Sequence, residues 1–294
     1  MEPKRVDIKT AERRLESFSN LANVLGKNWL EYEYKKDVKQ RSLITGWLLP
    51  DTGIPFEDSW PWHWLKDLEG ALAYLESNTQ IHVWRKIVRK IRAHTDRATF
   101  KGTLAELSLC MFLGIKKIMF DLDVKLQTAS GKDVDIKAYL NTKSALNIEV
   151  QWVSPSDISE EGAYLSSLYE ESYPIDFEYE MQRVKKKIFD KIPKFTHEDI
   201  TFVAINCTSS PELGGKGFSL IKEILIRSFN EKNDDDRQKE VNTAIRNYID
   251  GVIWFEIEPD VRLLPHNRAH ALNPKSAFRE NETVLDFLTH WKNG

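Results

Sequence analysis

Across residues 98–153 the hydrophobic repeat changes character, and this change restricts the fold more than any other feature of the chain. The stretch "ATFKGTLAELSLCMFLG" (98–114) carries Leu104, Leu107, Leu109, Cys110, Met111 and Leu113, and Gly114 ends it. A helix apolar on nearly every side belongs in a core. Glu106 is its lone acid. The segments that follow, "KIMFDLDVKLQ", "DVDIKAYL" and "ALNIEVQWV", have period two or short apolar runs, as strands do. Beyond a loop rich in Ser and Glu (155–174), the pattern predicts a helix at 176–192 and a buried strand, "ITFVAIN" (200–206). Helices at 217–230 and 236–249 and a strand, "GVIWFEI" (251–257), follow. Helix, three strands, helix, strand, helices, strand is the order of an α/β protein built on a mixed sheet flanked by helices.

Upstream, residues 1–80 read as a helical extension, and 81–294 as the main domain. Thr10 is placed to cap a first helix that ends at Gly26, and "LLPDTGIPFEDSWPW" is a loop. A helix from about Trp62 to Leu75 precedes an amphipathic one at 80–93, whose apolar stripe is Val83, Trp84, Ile87, Val88 and Ile91.

The 42 basic and 45 acidic residues give a net charge of −3, which argues against indiscriminate polyanion binding. The charge is unevenly spread, however. Residues 85–101 hold seven Lys/Arg and one acid, and 183–194 hold six and one. Arg85, Arg89, Arg92 and Lys101 can track phosphates, although a solvated helix face explains them equally well. With 41% hydrophobic residues, no membrane-length apolar run and no signal-peptide core at the N-terminus, a soluble cytoplasmic protein is expected. The two cysteines, Cys110 and Cys207, read as reduced, and no Cys/His spacing suggests zinc.

The acids on the strands carry the chemistry. Side chains alternate along a strand, so Glu149 and Gln151 share a face, as do Asp133 and Asp135. A four-residue turn at Asn141–Ser144 sets Asp135 across from Glu149, with Cβ atoms roughly 5 Å apart. Two ionised carboxylates at that distance repel, and a divalent cation relieves the repulsion. Oxygen ligands suit Mg²⁺ or Mn²⁺. Taken singly, each acid is also explained as a solubilising charge or as the partner of a nearby lysine.

Asp135, then Glu149-Val150-Gln151, with Glu106 on the preceding helix, resembles the PD-(D/E)xK (restriction-endonuclease-like) nuclease superfamily. The similarity covers about residues 98–206. It implies hydrolysis of a phosphodiester by a metal-activated water, on DNA in preference to RNA, and is compatible with a homodimer. Asp135 and Glu149 would hold the metal with the Val150 carbonyl, and Asp133 stands by as a further ligand. Glu106 would orient a metal-bound water or help hold a second ion. The chain departs from the family in placing Gln151 where a lysine is usual. An amide positions water but does not neutralise charge, so a second metal or a lysine of the 176–192 helix would have to compensate. Lys187 is the candidate, on a stripe with Arg183 and Lys191. The alternative is a catalytically inactive relative that binds nucleic acid or a partner protein.

Three other motifs have plainer readings. "WPWHWL" (60–65) is expected to clamp helices together rather than stack on bases. "HNRAH" (266–270) is expected in a loop between Pro265 and Pro274, without further ligands. "SSPELGGKG" (209–217) lacks P-loop spacing and reads as a flexible loop, not an ATP site.

Overall fold

A computed structural model describes residues 6–37, 40–49, 53–93, 97–126, 133–152, 185–186, 188–192, 199–206, 236–257 and 263–293. Lys187, Cys207, the 155–174 and 209–217 loops and the 217–230 helix lie outside the described residues. The chain forms two compact units. The first is Met1–Lys117 with Ile257–Leu264, and the second is Ile118–Glu256 with Pro265–Gly294.

The first unit is helical: α1 (Ile8–Glu16), α2 (Ser19–Leu25), α3 (Trp29–Tyr34), α4 (Leu43–Leu48), α5 (Trp60–Asn78), α6 (Ile81–Ala93) and α7 (Arg97–Ile115). Both elements that flank position 80, α5 and α6, belong to it. The first helix is capped by Asp7, whose carboxylate accepts the Thr10 N–H at 2.8 Å, and not by Thr10. That bond holds the Asp7 carboxyl below its ordinary pKa. The expected single helix breaks between Glu16 and Ser19. Phe18 gives α2 no capping side chain, and Glu69 of α5 instead accepts the N–H groups of Asn20 and Leu21 at 2.9 and 2.8 Å. Glu33 is fully buried yet satisfied. It accepts Ser42 N–H at 2.7 Å and the Thr45 hydroxyl at 3.0 Å, and pairs with Lys36. The tryptophan run acts as a clamp: Trp64 stacks on Trp47 of α4 at 5.7 Å, and Trp47 meets Phe100 of α7 edge-on at 6.2 Å.

The second unit is an α/β layer on a six-stranded sheet, ordered β1 to β6 as in sequence. The strands are β1 (Met119–Lys125), β2 (Asp133–Tyr139), β3 (Ala145–Trp152), β4 (Ile200–Asn206), β5 (Gly251–Glu256) and β6 (His266–Leu272). The first three pair antiparallel, β3–β4 and β4–β5 pair parallel, and β5–β6 is antiparallel. Parallel neighbours need long crossovers. The spacings from 152 to 200 and from 206 to 251 supply them. Two described helices complete the unit, α8 (Asp236–Tyr248) and α9 (Glu282–Asn293). Among the described residues, no helix is long and apolar enough to cross a membrane.

"HNRAH" is therefore an edge strand and not a loop. Both prolines lie just outside β6, and pairing with the wholly buried β5 decides the backbone. Trp291 of α9 packs edge-on against Phe255 at 5.7 Å, and its indole N–H donates to Ala269 O at 3.0 Å. On one face of the sheet Val203, Ile205, Val252 and Trp254 form a core with Ile188, Ile192, Ile245 and Ile249.

Two predictions arise from the sheet. Gly251 is the register partner of Phe202, and a Cβ there would meet the Phe202 ring at 2.7 Å. Gly251→Ala is expected to destabilise the fold by about 1–3 kcal/mol, read from urea denaturation midpoints. His270 is held below the ordinary imidazole pKa by burial, with Lys292 adding to the effect. Its folded pKa is depressed, so the unfolded chain binds the extra proton first as pH falls. Stability is expected to be level above about pH 6.5 and to drop below it, and His270→Phe should flatten that drop in thermal melts between pH 5 and 7.

Candidate active site

The β2–β3 hairpin positions the site. Leu140 N–H and Asn141 N–H both reach Ser144 O, at 2.9 and 3.2 Å. Asn141 Oδ1 accepts the N–H groups of Lys143 and Ser144 at 2.8 Å each, which closes the turn. The turn fixes the register at Tyr139↔Ala145 through Ile136↔Ile148. Continued by one step, that register sets Asp135 against Glu149, as the sequence predicts.

At that step the backbone ladder stops and the carboxylates take over. Asp135 N–H donates to Glu149 Oε1 at 3.3 Å, and Val150 N–H donates to Asp135 Oδ2 at 2.8 Å. Backbone donors that would otherwise stay unpaired as the strands part are thereby satisfied. Glu149 is fully buried, and Asp135 is mostly so.

A cation already faces this pair. Lys191 Nζ lies 2.8 Å from Glu149 Oε2 and 3.7 Å from Asp135 Oδ2. Lys191 sits in a turn that follows the helical residues 188–189, where Asp190 N–H bonds Lys186 O and Lys191 N–H bonds Ile188 O. Ile188 and Ile192, on either side of it, are anchored in the core against Val203 and Ile205. Those two residues are the register partners of Glu149 and Gln151 on β4, so they share the face of the acids. The apolar anchors thus aim the ammonium at the carboxylates. Lys191 was legible only as one of three basic residues on a stripe. Its position between Ile188 and Ile192 was the available signal.

The other expected site residues are placed as follows. Gln151 is partly exposed on β3, on the face of Glu149. Asp133 opens β2 opposite Lys125 and forms no ion pair among the described residues. Glu106 lies in the first unit, where its Oε2 is 2.6 Å from Lys90 Nζ. Arg85, Arg89 and Arg92 lie on α6, and Lys101 on α7. Arg92 is committed to carbonyls at the end of α2, those of Val24 and Asn23. Among the described residues, no group of three or more His, Cys, Asp or Glu side chains gathers as a metal cluster, so the site has two acids and one lysine.

A second polar group lies at the β5–β6 bulge. Glu256 Oε2 accepts Asn267 Nδ2 at 2.6 Å and lies 3.8 Å from His266 Nε2. No protein-family model, curated protein or solved structure matches the chain.

Proposed function

We propose that the second unit is a divalent-metal-dependent nuclease of the PD-(D/E)xK (restriction-endonuclease-like) class, acting on DNA in preference to RNA. The observation that carries this reading is the convergence of Asp135, Glu149 and Lys191 where β2 and β3 part. The donors suit the ion: two carboxylates with lone pairs to spare and hard oxygen chemistry. They already bind one cation, the ammonium of Lys191, at close range. Asp135, Glu149 and the Val150 carbonyl would hold Mg²⁺ or Mn²⁺. The metal would supply Lewis acidity and a water ionised near neutral pH.

The remaining chemistry belongs to the chain. Lys191 supplies the positive charge that Gln151 lacks. With Mg²⁺ or Mn²⁺ held by the acids, the Lys191 ammonium would be the donor placed to stabilise negative charge on the phosphorane oxygens. Gln151, on the same face, orients water through its amide. The buried flank of Val203 and Ile205 keeps bulk water from Glu149, which strengthens each of these interactions.

A second reading has its own observation. Lys191 already pairs with both acids, and no third acid joins them among the described residues. That is also the arrangement of a nuclease-like module that has exchanged its metal for an ammonium and binds nucleic acid or a protein without cleaving. Incubation with supercoiled, linear and single-stranded DNA and with RNA, in Mg²⁺, Mn²⁺ or EDTA, separates the two. Metal-dependent cleavage that EDTA abolishes supports the nuclease. No cleavage of any substrate, with no Mn²⁺ bound, favours the silent module.

A further inference from the structure

The first unit contains an open groove of about 750 Å³ between α2, the end of α5 and α6. We infer that it binds one nucleotide unit of an unpaired nucleic acid, with the base against Trp84 and the phosphate on Arg85 and Arg89. The choice of ligand class rests on the nuclease reading; the site itself is a separate surface.

Val83, Ile87 and Ile91 turn α6 into the core of its unit. Ile81, Trp84 and Val88, spaced by three and four residues, form a different stripe that lines the groove. Ile81 is 64% exposed, so the apolar floor is open to a ligand. Trp84 has neither a ring partner nor an acceptor for its indole N–H among the described residues. Arg85 and Glu76 form no ion pair there, and the Asn23 amide no hydrogen bond. One wall is fixed, because Arg92 ties α6 to the carbonyls of Val24 and Asn23. The groove therefore offers the aromatic face of Trp84, an apolar floor, the Arg85 cation, the Glu76 carboxylate and the Asn23 amide, these polar and aromatic groups without side-chain partners among the described residues. Its size lies within the ordinary range of small-ligand sites.

Glu76 decides between ligand classes. An acidic amphipathic peptide would suit the apolar floor and the arginines, but would meet the Glu76 carboxylate at the wall. A nucleobase uses that carboxylate as an acceptor for its exocyclic amine, and stacks on an aromatic ring irrespective of sequence. Bases stacked inside a duplex cannot enter, so the source is an unpaired strand or a free nucleotide.

The test uses the full chain in EDTA, where binding is read without metal-dependent cleavage. Fluorescence anisotropy would follow labelled dC12, dA12 and dT12, a duplex of the same length, and competition by the mononucleotides. Trp84→Ala is expected to weaken single-strand binding about 5- to 150-fold, and Trp84→Phe to retain most of it. Arg85→Glu should weaken binding and lower the salt slope by about 1. Glu76→Gln should reduce the preference for dC12 and dA12 over dT12. Thermal melts matched to the parent would verify folding of each variant. Strand affinity above that of mononucleotides assigns the source as a strand, and equal affinity assigns free nucleotide. Parent-like binding by Trp84→Ala overturns the site, as does an acidic helical peptide binding where no nucleotide does. Cleavage in Mg²⁺ is a separate measurement: its absence with this binding intact removes the nuclease reading and leaves the groove, and the converse removes only the groove.

Discussion

Glu149→Ala is expected to abolish Mn²⁺ binding and to lower metal-dependent cleavage by about 10³-fold or more, the scale on which a bound metal stabilises transition-state charge. Glu149 is the fully enclosed member of the acid pair. One of its oxygens accepts the Asp135 N–H, and the other faces Lys191 at 2.8 Å. Truncation would strip the backbone donor and the ammonium of their shared acceptor. Removing one member of a buried ion pair costs about 3–5 kcal/mol. Lys191 is 20% exposed, so water softens the loss, and about 1–3 kcal/mol is expected in denaturant unfolding. Glu149→Gln keeps an acceptor for the Asp135 N–H and separates the two effects. It should retain most of the stability while losing the metal. The measurements are single-turnover cleavage of plasmid DNA and the Mn²⁺-dependent shift in melting temperature, which the parent should show and both variants should lack. Parent-like cleavage by Glu149→Ala would end the hydrolytic reading and leave the silent binding module.

The facing of Asp135 and Glu149 was legible because strand geometry has little freedom. Side chains alternate with period two, and Asn141 with Ser144 marks the turn, so the turn's parity set which residues oppose. "ITFVAIN" was legible for a similar reason, since a run of seven residues that are all buried has few other structures open to it. Positions that depend on a partner distant in sequence were harder. Nothing local in "HNRAH" indicates a strand; it becomes one by pairing with β5. Thr10 is a sound cap by residue type, but Asp7 lies one turn earlier, and its carboxylate accepts the N–H of Thr10 itself, which puts Thr10 inside the helix. Lys191 depended on helix phase. The pattern put Arg183, Lys187 and Lys191 on one stripe, and only the docking of Ile188 and Ile192 shows that 191 reaches the acids. The groove polarity of α6 was hidden for the same reason. Trp84 and Val88 fitted the apolar stripe by spacing, yet they line the groove while Val83, Ile87 and Ile91 fill the core.

The lysine that the motif lacks gives the second large effect. Lys191→Met is expected to cut single-turnover cleavage in Mg²⁺ by about 10²–10³-fold, the usual loss when one preorganised donor to a developing oxyanion is removed. Metal binding should move the other way. With no ammonium 2.8 Å from Glu149, the carboxylates are left to the ion, and Mn²⁺ affinity should hold or rise. A slower enzyme that binds its metal at least as tightly is the signature of a catalytic cation rather than of a ligand. Gln151→Ala should lose less than either Glu149→Ala or Lys191→Met, because the amide orients water and carries no charge. The deciding variant is Lys191→Met with Gln151→Lys. Position 151 lies two residues beyond Glu149 on the same strand face, so the transplanted ammonium would enter the site from β3 instead of from the 185–192 segment. Recovery of about tenfold or more over Lys191→Met alone would show that the site needs a cation and accepts it from either element. If Lys191→Met cleaves like the parent, Lys191 is only the counter-ion of two buried acids, and the charge Gln151 does not supply must come from a second metal.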